Sequence, residues 1–215
     1  MKILNLYAGI GGNRKLWGNE HNITAVENEQ YIADAYKDLY PNDTVIVADA
    51  HQYLLDHHKE FDFIWSSPPC PTHSVSNNFL YAQGIIRYPD MTLYQEIIFL
   101  KHKFKGKWVV ENVKPYYEPL IKPSAIIDRH YYWSNFDIPH LEVKRNFNVT
   151  NARASTRNTP EKDLLSLEDW HKIYLPNHVK NKRKLLRNAV WPQMGQHIFN
   201  QLFNKEEKEE SNDFI

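Results

Sequence analysis

Apolar positions along the chain fall into short runs separated by glycine, proline or polar breaks. KILNLY, residues 2–7, has the content of a short buried strand, and GIGG ends it before the helix-like NRKLWGNE. TAVE, residues 24–27, predicts a second strand, followed by the amphipathic EQYIADAYKDLY and a stop at PND. TVIVAD and FDFIWS predict a third and a fourth strand. EIIFLKHKF looks helical, and KWVVENV is a further strand with Gly106 in front of it. Strands alternating with helical patterns of about 10–15 residues predict an α/β fold, a parallel sheet covered by helices. After about Pro115 the pattern degrades into aromatic and polar segments rich in proline and asparagine. It recovers in HIFNQLFN, and no internal repeat is present.

Composition narrows this picture. With 215 residues, 42% hydrophobic and 24% charged, the chain has the apolar content for one folded domain rather than a disordered polymer. No apolar run approaches the roughly 18 residues of a membrane span, and MKILNLYAGIGG carries no cleavage-site pattern. A cytoplasmic protein is therefore expected. One cysteine excludes an internal disulfide, and the adjacent His57 and His58 cannot share a helix face, so no structural metal is expected. The net charge of zero hides a bias: residues 137–187 hold 11 basic and 6 acidic side chains, and residues 205–215 hold 2 basic and 5 acidic ones. The basic section suits an anionic partner, and the acidic tail reads as a solvated end.

Three features carry candidate chemistry. Gly9, Gly11 and Gly12 follow the first strand directly, in a chain with only 7 glycines, and mark a backbone that a ligand approaches closely. Arg14 stands where a dinucleotide fingerprint would need its third glycine. Glu27 ends the second strand, where a carboxylate can accept from ribose hydroxyls, and Asp49 ends the third, where it could accept from an exocyclic amine. Without a third glycine or a GxxxxGK[ST] loop, a nucleoside cofactor lacking a pyrophosphate is the better fit, and S-adenosylmethionine is one. Cys70, the only cysteine, follows the fourth strand inside SSPPCPTHS, where Pro68 and Pro69 restrict the backbone that presents it. Glu111 ends the fifth strand on the same edge. A thiolate can add to C6 of a pyrimidine while a carboxylic acid engages N3, which makes C5 a carbon nucleophile.

These motifs, in this order, resemble the cytosine-C5 DNA methyltransferase family from about Lys2 to Phe203. LNLYAGIGG is similar to the family's cofactor loop, with Tyr7 where phenylalanine is usual. AVEN with Glu27 and Asn28 resembles the ribose-binding segment, and Asp49 with Ala50 the adenine-contacting one. SSPPCPTHS resembles the catalytic loop, with Pro68 beside the cofactor. PDMTLYQEII resembles the segment whose Leu93 touches the cofactor, and VVENV the Glu-Asn-Val motif. RHYYWSNF resembles the arginine and aromatic motif, and LRNAVWPQMGQHIF the closing motif, whose Asn188 and Val190 complete the pocket. The resemblance implies a Rossmann-like S-adenosylmethionine-dependent methyltransferase fold with a mostly parallel sheet. It implies a catalytic domain over 1–136, a reduced target-recognition region over 137–185, a closing segment over 186–204 and an acidic tail over 205–215.

The implied activity is methyl transfer to C5 of a cytosine flipped out of duplex DNA, through a covalent Cys70 adduct assisted by Glu111. Arg129 would contact the base O2 or orient Glu111. It stands one place from the family's last arginine, with His130 in that place, and Arg187 replaces the glycine usual before Asn188. Pro71 and His73 replace a glutamine and an aromatic residue after the cysteine. Ser74, Asn78, Lys144, Arg145, Arg153, Arg157, Lys182 and Arg183 are the expected nucleic-acid contacts. Only 49 residues, 137–185, stand where relatives carry a recognition domain, which implies a short target, loose specificity or help from a second copy. The build suits a phage or restriction-modification protein in a bacterial or phage-infected host cytoplasm. Alternatives are an RNA cytosine-C5 methyltransferase acting on transfer RNA, and a catalytically inactive nucleic-acid-binding relative.

Overall fold

A computed structural model describes residues 1–144 and 160–204. The acidic tail lies outside the described residues, as do Arg145, Arg153 and Arg157. Seven strands make one sheet: β1 (Lys2–Leu6), β2 (Asn22–Glu27), β3 (Thr44–Val47), β4 (Phe63–Ser66), β5 (Lys107–Val113), β6 (Ala125–Ile127) and β7 (His130–Ser134). Their order is β3-β2-β1-β4-β5-β7-β6. The first five are parallel, and β7 runs antiparallel to both of its neighbours. The helices are α1 (Gln30–Leu39), α2 (Ala50–His57), α3 (Asn77–Tyr81), α4 (Thr92–Lys103), α5 (Pro160–His171), α6 (Lys182–Asn188) and α7 (Pro192–Asn200).

The central strands are buried on both faces, which explains their near-continuous apolar runs. Alternate side chains sort to the two sides of the sheet. Leu4, Leu6, Ile64 and Val110 pack with Leu54 of α2 and Leu93, Ile97 and Leu100 of α4. Ile3, Phe63, Trp65 and Val109 pack with Met194, Ile198 and Phe199 of α7, and Trp17 stacks on Phe199 with ring centroids 5.1 Å apart. A third apolar cluster joins Ile10 and Ala35 to Leu167, Ile173, Leu175, Val179, Leu185 and Leu186. The section from α5 to α6 is thereby seated against the glycine loop at Ile10.

The helix-like NRKLWGNE departs from its pattern. It forms only a 3-10 turn, Asn13–Leu16, because its polar residues are fastened inward. Asn13 and Asn5 exchange side-chain hydrogen bonds at 2.8 and 3.3 Å. The buried Arg14 guanidinium donates to both carboxylate oxygens of Asp43, at 2.7 and 3.0 Å, and to the Gly18 carbonyl at 2.9 Å. Tyr36 donates to the same carboxylate at 2.8 Å. A buried ion pair needs its remaining donors and acceptors satisfied, and this one has them. Where a dinucleotide fingerprint would have its third glycine, which allows close helix–strand packing, Arg14 is an internal brace between the first turn and the loop before β3.

Candidate active site

The carboxyl ends of β1, β2, β4 and β5 meet along one edge, where open parallel sheets bind ligands. Beyond β1, Gly9 has φ +54° and its amide donates to Glu27 Oε2 at 3.0 Å. The other oxygen of Glu27 accepts from the Glu29 amide at 3.1 Å. A carboxylate offers about four acceptor positions, so each oxygen keeps a lone pair for a ligand hydroxyl. The three loop glycines face different surroundings. A Cβ on Gly9 would meet nothing within 4 Å, one on Gly11 would strike the Tyr36 and Tyr40 rings, and one on Gly12 would lie 2.3 Å from the Val190 carbonyl oxygen. Gly9 therefore borders open space, and Gly12 lets the segment after α6 close over the loop. Asp49 is exposed and caps α2, accepting from the Gln52 amide at 2.7 Å, with Ala50 buried behind it. Asn28 is exposed just past β2, and Leu93 is buried in the core at the start of α4.

The cysteine loop is tied at its base to β5. Asn112 Nδ2 donates to the Pro68 carbonyl at 2.9 Å, and Asn112 Oδ1 accepts from the Val113 amide. Glu111, one residue before this tie, and Cys70, two residues beyond Pro68, are thereby held near one another. The thiol is half-buried; burial pushes its pKa up, and the Glu111 carboxylate pushes it further. Both effects favour the thiol over the thiolate. Beyond it the chain turns tightly: the His73 and Ser74 amides donate to the Cys70 carbonyl at 3.0 and 3.1 Å. His73 is buried, shares a 2.6 Å hydrogen bond with Tyr117 Oη, and its carbonyl accepts from the Tyr116 amide. Ser74 bridges to Pro115. The aromatic position of the resembled motif is thus occupied by a histidine that anchors the loop inward.

Glu111 is buried, and its neighbour from β7 is His130, with Nε2 3.5 Å from Oε1. Arg129 precedes the strand in the turn at Asp128, which has φ +53°. Its side chain is 70% exposed and lies 3.9 Å from Asp128. The orienting contact to Glu111 expected of Arg129 is made by His130. Strand alternation explains this, because His130 and Tyr132, the latter paired with Glu111, share one face of the sheet.

Of the expected nucleic-acid contacts, Asn78 is exposed on α3, Ser74 is half-buried, and Lys144 sits exposed 3.4 Å from Glu142. Lys182 donates to the Leu175 carbonyl at 2.8 Å, and Arg183 pairs with the buried Asp163 at 2.9 Å, so both also brace the fold. Together with Pro71, Leu164, Lys184, Arg187 and Asn188 they line a cleft of about 790 Å³ beside the cysteine loop. The cleft brings Asn188 and the residue after Cys70 to a common wall.

The family model described as C-5 cytosine-specific DNA methylase matches residues 1–119, more than half of the chain. The chain belongs to this family. Solved structures agree on the fold. A variant of Spodoptera frugiperda DNMT2 superposes with a TM-score of 0.60 at 16% identity, covering 94% of this chain and 99% of its own. The Entamoeba histolytica methyltransferase EhMeth gives 0.52 at 10% identity, covering 94% and 98%. No curated protein sequence matches the chain. The seven-stranded, mostly parallel sheet is the Rossmann-like S-adenosylmethionine-dependent methyltransferase fold, and S-adenosylmethionine is the cofactor of this methylase family. The residues present fit it: open space over Gly9, lone pairs on Glu27 and the close approach at Gly12 make a cradle for a nucleoside without a pyrophosphate. Among the described residues no helix is long and apolar enough to cross a membrane, and no group of three or more His, Cys, Asp or Glu could hold a metal ion.

Three residues of the candidate site were not singled out by the sequence pattern. Asn112 lay within a noted motif, but its tie to Pro68 is a tertiary contact. Lys184 belongs to the noted basic stretch and lines the cleft beside Arg187. Glu96 carried a signal, a single carboxylate within the apolar run LYQEIIFL, and it is fully buried.

Proposed function

We propose that this methylase acts on a cytosine turned out of duplex DNA, with Cys70 as nucleophile at C6 and Glu111 as the acid at N3. The observation that carries this reading is the Asn112–Pro68 tie, which holds a cysteine and a buried carboxylate together at the edge that carries the cofactor cradle. Extrusion of a base costs a few kcal/mol of stacking, and the cleft lined by Lys182, Arg183, Lys184 and Arg187 offers phosphate contacts to offset it. The Cys70 thiol gives its proton to water as its sulfur bonds to C6, Glu111 hydrogen-bonds or protonates N3, and the C5–C6 π electrons move to C5. His130 orients Glu111, which leaves to Arg129 only the contact with the base O2. S-adenosylmethionine, held by the backbone at Gly9 and Gly12 and by Glu27, would supply an electrophilic methyl group to C5, with S-adenosylhomocysteine as the leaving group. Loss of the C5 proton to water then expels the Cys70 thiolate, N3 gives back to Glu111 any proton it took, and the aromatic base is restored.

The target-recognition part falls to residues 137–185, which supports a short target or loose specificity. The test is transfer of a labelled methyl group to duplex DNA and, in parallel, to transfer RNA, with Cys70→Ser alongside the wild type. The expected result is label in DNA that Cys70→Ser abolishes while retaining S-adenosylhomocysteine binding. Label in transfer RNA alone overturns the DNA substrate. Binding of nucleic acid with no transfer to either overturns the enzymatic reading, and turnover by Cys70→Ser overturns the covalent step.

A further inference from the structure

Glu96 lies on α4 with 0% of its surface exposed. Three side chains from three different segments converge on it: Tyr7 Oη donates to Oε1 at 2.5 Å, Ser66 Oγ donates to Oε2 at 2.6 Å, and His51 Nδ1 lies 3.1 Å from Oε1. Each partner begins a part of the site. Tyr7 opens the glycine loop and has φ +53°, an uncommon conformation for a residue with a Cβ. Ser66 ends β4, four residues before Cys70. His51 follows Asp49 and Ala50 in the first turn of α2.

A fully buried carboxylate is costly unless its oxygens are satisfied. Here the partners that satisfy them are the segments that shape the cofactor edge. An apolar residue at 96 would fill the core as well, but it would leave the Tyr7 hydroxyl without its acceptor and its backbone without that restraint. We propose that Glu96 is a positioning residue for cofactor binding, holding the glycine loop, the end of β4 and the start of α2 in their mutual arrangement through Tyr7, Ser66 and His51. The proposal rests on the reading of this edge as the S-adenosylmethionine pocket.

The test measures S-adenosylhomocysteine binding by calorimetry, KM and kcat for methyl transfer, and the melting temperature. Glu96→Gln keeps the shape but loses one acceptor oxygen. It should raise Kd and KM about tenfold with kcat within about threefold. Tyr7→Phe and Ser66→Ala, each removing one donor, should raise Kd about threefold. Tyr7→Phe combined with Glu96→Gln should raise Kd by less than the product of the two single effects, because both act through the one side chain at 96. Ile97→Val, at the next position on α4, should lower the melting temperature and leave Kd unchanged. Unchanged Kd in Glu96→Gln overturns the proposal, as does an equal rise in Ile97→Val, which would show a general effect of destabilisation. If Glu96→Gln does not fold, Tyr7→Phe and Ser66→Ala decide, and unchanged affinity in both overturns it. Wild-type protein that binds no S-adenosylhomocysteine refutes the cofactor reading itself, whereas wild-type binding with unaffected variants refutes only the positioning role.

Discussion

Replacing Gly12 with alanine isolates the closure of the C-terminal segment over the cofactor loop. Gly12 has φ −59° and ψ −44°, an ordinary helical conformation that alanine adopts without strain. Any effect must therefore come from contact. The added Cβ would stand 2.3 Å from the Val190 carbonyl oxygen and 3.0 Å from the Ala189 Cβ, where ordinary contact begins at 3.4 Å. Two backbones would have to separate by about an ångström. Forcing an extra carbon into a packed interior costs about 1–3 kcal/mol, and in a chain of this size each kcal/mol lowers the melting temperature by about 2–4 °C. Gly12→Ala should thus melt about 2–12 °C below wild type, and its S-adenosylhomocysteine affinity should fall as Asn188 and Val190 move outward. Gly9→Ala is the counterpart, with no clash but a left-handed backbone that costs about 1–2 kcal/mol. Scanning calorimetry with titration of S-adenosylhomocysteine reads both quantities. A Gly12→Ala protein that melts within about 1 °C of wild type and binds unchanged would refute the closure.

Two further outcomes follow from the electrostatics. Because Glu111 helps push the Cys70 thiol pKa up, Glu111→Gln should lower it; alkylation by iodoacetamide at fixed pH, followed by mass spectrometry, should then be faster in the variant than in wild type. Equal or slower alkylation would show that the two groups do not sense each other. Asp43→Ala would strip the buried Arg14 guanidinium of its carboxylate, and removing one partner of such a pair costs about 3–5 kcal/mol. Its melting temperature should fall further than that of Gly12→Ala.

Legibility from sequence followed locality. The strands that carry the site announced themselves because a parallel sheet buried on both faces demands runs such as LNL and FIWS. Gly9, Glu27, Cys70 and Glu111 were legible because each ends a strand, and strand ends share an edge whatever the loops do. The hairpin of β6 and β7 was hidden because its aromatic residues are spread over both faces and leave no clean alternation. Arg129 was ambiguous for a related reason: a one-residue offset at a strand entry decides which side chain faces Glu111, and His130 holds that register. The helical reading of residues 13–20 failed because Asn13 and Arg14 find partners far along the chain, at Asn5 and Asp43. Periodicity records which face is apolar, not which polar group is committed elsewhere.

The cysteine loop is fastened on both sides of its thiol, by Asn112 at Pro68 and by Tyr116, Tyr117 and Pro115 at His73 and Ser74. Past the second fastening, Phe79, Ile86 and Tyr88 stand 75%, 60% and 82% exposed. The segment that carries these side chains begins at Asn77, whose side-chain amide donates to the Pro71 and Ser74 carbonyls at 2.9 and 3.0 Å. On the proposed function, grip and attack fall to different stretches of one loop: substitutions among the exposed side chains should retune which nucleic acid is held, while Asn112 and Tyr117 keep the turn that bears the sulfur in place.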